Sequence, residues 1–281
     1  MMIHLKTLGL ISILFLSIQS CKNPVKKNTD KDENVVEISS ENSAPTENSK
    51  STDSLLMPNG IKIHWIKKNN GESIKDGDVV DIDYKVYLTD GKLIEGNHLL
   101  NKESFPFMVG FQMQTLGWDI ALKEMKVGDK AEVFIPSALA RGEKGIEGMI
   151  PPNSDNVVYI EIIRKRKPTR IVEGNKVWVF EENKNNRTLF NMENNIVFHA
   201  MTSSPDLPLF ANSFRQNKPF SFTMKDAGLV PGLKKALLGS KKADRFYVWV
   251  KSDDAYGVKG YQDIVKPNQS LFYNIYVMDV Y

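Results

Sequence analysis

From Gly60 to the C-terminus, large apolar residues recur at every second position in short runs, and each half of the stretch breaks that rhythm once for a helical spacing. A period of two puts alternate side chains on one face of a strand, so such a chain folds as sheet with one face buried. Ile61, Ile63 and Trp65 share a face of one strand. Val80, Ile82, Tyr84, Val86 and Leu88 share a face of the next, with Asp81, Asp83 and Lys85 turned outward. Asp90-Gly91 marks a turn, and Phe105, Phe107 and Val109 form another alternating strand. The period then changes: Trp118, Ala121, Leu122 and Met125 line one face of a short helix that ends by Gly128. Ala131 to Ile135 and Val157 to Ile163 supply two more strands. The expected class is α+β, a twisted antiparallel sheet wrapped on one short helix.

The second half repeats the order. Val177 to Phe180 and Ile196 to Ala200 read as strands, and Phe220 and Phe222 repeat the earlier Phe-x-Phe. Leu233, Ala236 and Leu237 suit the helix; Phe246 to Val250 and Leu271 to Val280 close the sheet. A repeat on this scale implies a duplicated domain of roughly 110 residues. Basic Lys165 to Arg170, which includes Pro168, is the expected joint, dividing the folded part into 57–168 and 169–281.

The N-terminus differs in kind. Lys6 precedes an apolar run from Leu8 to Ile18, too short to span a bilayer, and the run ends in Ile18-Gln19-Ser20-Cys21. These are the parts of an export signal. The segment resembles the lipobox of bacterial lipoproteins, in which the signal is cut before the cysteine and a lipid is attached to it; an ordinary secretory signal ending near a cysteine is the alternative. The resemblance implies a signal peptide over 1–20, lipidation of Cys21 and a periplasm-facing membrane anchor. Lys22 is not the aspartate of inner-membrane retention, which favours the outer membrane. From Lys22 to about Leu55 there is almost nothing large and apolar, so 21–56 is expected to be a flexible tether.

Several chemistries find no support. The net charge is only +3, with the signs interspersed, which argues against nucleic acid as a partner. One cysteine excludes an internal disulfide and a thiolate metal cluster. The four histidines, His4, His64, His98 and His199, lack a metal-like partner at helical or strand spacing, and no phosphate-binding glycine pattern occurs. No metal and no cofactor are expected.

The first unit carries a series of short motifs in fixed order: Asp83-Tyr84, Asp90-Gly91-Lys92, Phe105-Pro106-Phe107, Gly117-Trp118, Lys126-Val127-Gly128-Asp129, Ile135-Pro136-Ser137 and Gly148-Met149-Ile150-Pro151-Pro152-Asn153. Together they resemble the FKBP family of peptidyl-prolyl cis/trans isomerases over about Asn59 to Lys167. The resemblance implies a pocket with Trp118 as its floor, Tyr84 and Phe105 as aromatic walls, Ile150 closing one side, and Thr115 offering its backbone N–H. A core tryptophan and a core tyrosine remain the alternative readings of Trp118 and Tyr84. The same resemblance implies proline-containing exported polypeptides as substrates, and it implies that Trp118→Ala or Tyr84→Ala abolishes turnover while leaving the fold intact.

Departures from the family pattern fall on the same wall. Glu95 stands for an aspartate and Ile94 for an aromatic; Gln114 replaces an apolar residue, and Val158 another aromatic. The tyrosine whose hydroxyl commonly meets the substrate carbonyl corresponds to Arg141, a longer and better solvated donor. The wall is therefore expected to be thinner and more polar, with weaker activity. The second unit resembles the family more faintly. Phe210, Phe220, Val230, Val265 and Tyr273 fall at pocket-like positions, and Tyr256 keeps the tyrosine that the first unit lacks. Leu233 replaces the floor tryptophan, Ala200 the wall tyrosine and Ala211 the acidic residue, so this unit is expected to be non-catalytic. The competing function is a periplasmic chaperone or assembly factor that binds clients without catalysis.

Overall fold

A computed structural model of the chain describes residues 53–281. The signal stretch, Cys21 and the tether up to residue 52 lie outside the described residues. Seven strands form a first sheet: β1 (Ser54–Leu56), β2 (Lys62–Lys67), β3 (Val79–Leu88), β4 (Leu93–Gly96), β5 (Phe105–Met108), β6 (Lys130–Ile135) and β7 (Asn156–Arg166). They run β1-β2-β6-β7-β3 across the sheet, every pair antiparallel, and β4 and β5 share the far edge of β3. Helix α1 (Leu116–Glu124) packs Trp118, Ala121 and Leu122 against the buried face. Burial of each large side chain in that cluster contributes about 1.5–3 kcal/mol.

The second sheet has β8 (Arg170–Val172), β9 (Asn175–Glu181), β10 (Ile196–Ser203), β11 (Ala211–Asn212), β12 (Phe220–Phe222), β13 (Arg245–Val250) and β14 (Leu271–Val280). Its order is β8-β9-β13-β14-β10, with β11 and β12 on the far edge of β10. This is the first topology shifted by seven strands. Two short helices belong to it, α2 (Ser213–Gln216) before β12 and α3 (Pro231–Leu237) at the place of α1. The duplication read from the sequence is present strand for strand, and its α+β class with it.

Three expectations change. Residues 54–56, read as tether, form edge strand β1, because Leu55 reaches the core while its backbone pairs with Ile63. Lys165 and Arg166, read as part of the joint, continue β7; the chain passes to β8 through residues 167–169. Asp81, which alternation turns to solvent, is fully buried. A bulge in the β3–β7 pairing at Asp81/Ile82 lets Arg164 and Arg166 each donate from Nε to its carboxylate at 2.5 Å. The reason for its burial is that the second domain covers this end of β3. Val79, Met108 and Phe111 of the first domain form one apolar cluster with Trp178, Tyr247 and Phe272 of the second.

Candidate active site

Trp118 lies in the first turn of α1 because Gly117 lets the helix start against the sheet. A Cβ at 117 would lie 2.3 Å from Ile135 Cγ2 and 2.9 Å from the Leu139 carbonyl. The indole is stacked on Phe107, centroids 5.8 Å apart and planes at 15°, and Tyr84 meets it edge-on at 5.2 Å. Phe105 in turn meets Tyr84 edge-on at 6.1 Å. Aromatic pairs in these arrangements hold one another's orientation as well as burying area.

Against this group opens a narrow cleft that mixes apolar and polar side chains. Seven residues expected from the sequence line it: Ile94, Glu95, Gln114, Thr115, Trp118, Arg141 and Ile150. Three others do not. Tyr84 and Phe105 stand behind the lining, and Val158 is core, opposite Val133 and Val86 in its neighbouring strands. Val86, Met113, Ile146, Met149 and Asn156 complete the lining, unforeseen as site residues. Met149 was at least visible within the Gly148-to-Asn153 motif, whereas nothing marked Asn156.

The polar departures form one hydrogen-bonded chain. Tyr84 donates its hydroxyl to Glu95 Oε1 at 2.7 Å, and Gln114 Nε2 donates to the same oxygen at 2.9 Å. Arg141 Nη2 donates to Gln114 Oε1 at 2.9 Å. Burial, reinforced by the carboxylate of Glu95, pushes the Tyr84 phenol well above its ordinary range. Arg141 is not the well-solvated group expected. It is half-buried, and burial lowers its pKa while Glu95 opposes that shift. Its length lets it fold back over Gln114 instead of reaching into water. Two buried polar atoms on the lining, Thr115 Oγ1 and Asn156 Oδ1, have no partner among the described residues.

In the second domain the corresponding positions are filled differently. Leu233 and Tyr273 share the core with Val230 and Val265, so the ring missing from the helix is matched by one from the sheet. Phe210 packs against that core, and Phe220 is 40% exposed over Phe198. Tyr256 is stacked on Tyr261 at 4.7 Å.

The family model for FKBP-type peptidyl-prolyl cis-trans isomerase matches residues 70–163 and again 184–278. The chain belongs to this family, twice over. FK506-binding protein 4 of Dictyostelium discoideum is 33% identical over 121 residues, 43% of this chain and 32% of that protein. This chain thus spans about a third of that relative. FK506-binding protein 1 of Saccharomyces cerevisiae is 31% identical over 112 residues, 40% of this chain and 97% of that protein. The crystal structure of the three FKBP domains of wheat FKBP73 covers 79% of this chain and 94% of its own at 23% identity, with a TM-score of 0.39.

Proposed function

We propose that the first FKBP domain catalyses prolyl cis/trans isomerisation in exported polypeptides at the cell envelope, and that the second domain does not catalyse. The observation that carries this reading is the aromatic group at the cleft base, Trp118 between Phe107 and Tyr84. Rotation about a prolyl bond is opposed by a barrier of about 18–20 kcal/mol that comes from amide resonance. At the transition state the amide is twisted and its C–N bond less dipolar. A site that replaces water by indole and aliphatic surface favours that twisted form over the planar ground state. The chemistry asks for no nucleophile and no proton transfer. Arg141 offers N–H donors beyond those it gives to Gln114, suited to a substrate carbonyl.

The envelope part of the reading rests on Lys6, the apolar run Leu8 to Ile18 and Cys21. A lipid on Cys21 would hold the domains at a membrane, the outer one favoured by Lys22. The test is a protease-free isomerisation assay of the full chain on a Leu-Pro or Phe-Pro peptide. Because Trp118 is 2% exposed and Tyr84 3%, their alanine variants are expected to lose about 3–5 kcal/mol of stability, which confounds a loss of turnover. The informative variant is Trp118→Leu, the residue found at 233. Turnover that falls at least tenfold in this variant, with unchanged circular dichroism, fits a catalytic floor. Client binding without turnover in the parent chain points to the chaperone reading instead. Membrane fractionation of Cys21→Ser tests the anchor: the variant should leave the membrane fraction.

A further inference from the structure

The two sheets differ on their outer faces as well as around the cleft. In the first domain that face carries His64, Glu132 and Val157; at the matching register positions the second carries Trp178, Tyr247 and Phe272. Duplicated domains with the same topology have no internal need for this difference. A sheet that is apolar on both faces is covered on both, and here the cover comes from Val79 of β3, Arg166 of β7 and, most extensively, the segment of the first domain from β5 to the start of α1.

That segment is gripped at three points. Tyr247 donates its hydroxyl to the Pro106 carbonyl at 3.1 Å, between Phe105 and Phe107. Phe111 packs against Phe272, ring centroids 5.7 Å apart, inside the shared apolar cluster. Gln112 Nε2 donates to the Pro205 carbonyl at 2.9 Å. Two of the grips have a counterpart on the cleft side of the same segment. Phe107 is stacked on Trp118, and the Gln112 N–H donates to Asp119 Oδ2 at 2.7 Å. Gln112 itself has φ of 49°, a left-handed conformation rare for a residue with a side chain and held here from both sides. The next residues, Met113, Gln114 and Thr115, line the cleft.

We propose that the second domain serves the first as a docked support, with Tyr247 and Phe272 as positioning residues that hold the 105–115 wall of the cleft in its working place. This rests on the isomerase reading above. It gives the divergent copy a function that needs no pocket of its own: its binding surface is the outer face of its sheet, and its partner is the neighbouring domain.

The test uses the full chain with Tyr247→Phe, which removes only the hydroxyl, and Phe272→Ala, which removes the packing. Turnover on a Leu-Pro peptide is resolved into kcat and KM, and amide hydrogen exchange is followed across the first domain. Loss of one buried hydrogen bond predicts a fall in kcat/KM of about threefold to tenfold for Tyr247→Phe, carried by KM. Exchange should quicken within 107–115 while β6 and β7 keep their protection. Parental kcat/KM in both variants overturns the proposal, as does a loss of protection spread evenly over the first domain. If the parent chain itself shows no turnover, the isomerase reading fails on its own, and exchange within 107–115 still decides whether the second domain orders the wall.

Discussion

Asp119 offers the sharpest test of the electrostatics beside the cleft. It follows Trp118 on α1, is 3% exposed, and accepts from the backbone N–H of Gln112 through Oδ2; its Oδ1 has no partner among the described residues. Burial, partly offset by the nearby backbone N–H groups of Gly110 and Gln112, pushes its carboxyl up to about 6. In the unfolded chain an aspartate titrates near 3.9. The folded state therefore holds the proton more tightly. Stability from this group is complete below about pH 4, declines as the pH rises towards 6, and levels off above. A gap of about two pH units corresponds to ~3 kcal/mol lost at pH 7. Asp119→Asn keeps an acceptor for the Gln112 N–H and abolishes the ionisation. The variant should match the parent near pH 4 and exceed it by up to ~3 kcal/mol at pH 7, which is roughly 6–12 °C in Tm for a chain of this size. Urea unfolding at a series of pH values between 4 and 8 measures this. A difference between variant and parent that does not change with pH, or a variant less stable at pH 7, refutes the reasoning.

Two further substitutions probe the cleft itself. Asn156→Leu removes a buried amide oxygen that has no partner on the lining; a gain of about 1–2 kcal/mol in urea unfolding is expected, with a lower KM for a Leu-Pro peptide, and a loss of stability would show that the oxygen is satisfied. Gly117→Ala forces a Cβ against Ile135 and the Leu139 carbonyl; it should cost about 1–3 kcal/mol and reduce turnover as the indole shifts, whereas a parental melting temperature would mean that α1 has room to move.

The strands were legible because period-two alternation and a buried face are the same fact seen twice, and every long strand here has a continuous core on one side. Trp118 was legible through the motif series that carries the family resemblance, and Gly117 ahead of it fits the close packing of α1 on the sheet. What could not be read was pairing between distant loops. Arg141 and Gln114 are separated by 27 positions, and neither residue type alone announces the other; only folding shows that the three polar departures, Glu95, Gln114 and Arg141, satisfy one another in a single chain ending at Tyr84. Asp81 was misread for a related reason. Alternation says which face a side chain takes, not what covers that face. A signal for the cover did exist in Phe246-Tyr247-Val248-Trp249-Val250, a run apolar on both faces, which is the pattern of a strand buried on both sides.

The two copies have diverged in linked ways. Close packing means that a core cannot lose an indole without refilling the volume or tolerating a cavity. In the second domain Tyr273 occupies the place of Val158 as Leu233 occupies that of Trp118, so one change on the sheet accompanies one on the helix and the core stays full. Tyr256 is retained but lies against Tyr261, so its ring already has a partner. Meanwhile the outer face of that sheet carries Trp178, Tyr247 and Phe272, which are buried in a cluster shared with the first domain. Separated from its partner the second domain would expose those three rings together. That predicts poor solubility for residues 169–281 alone, checked by comparing the soluble yield of that fragment with that of the tandem.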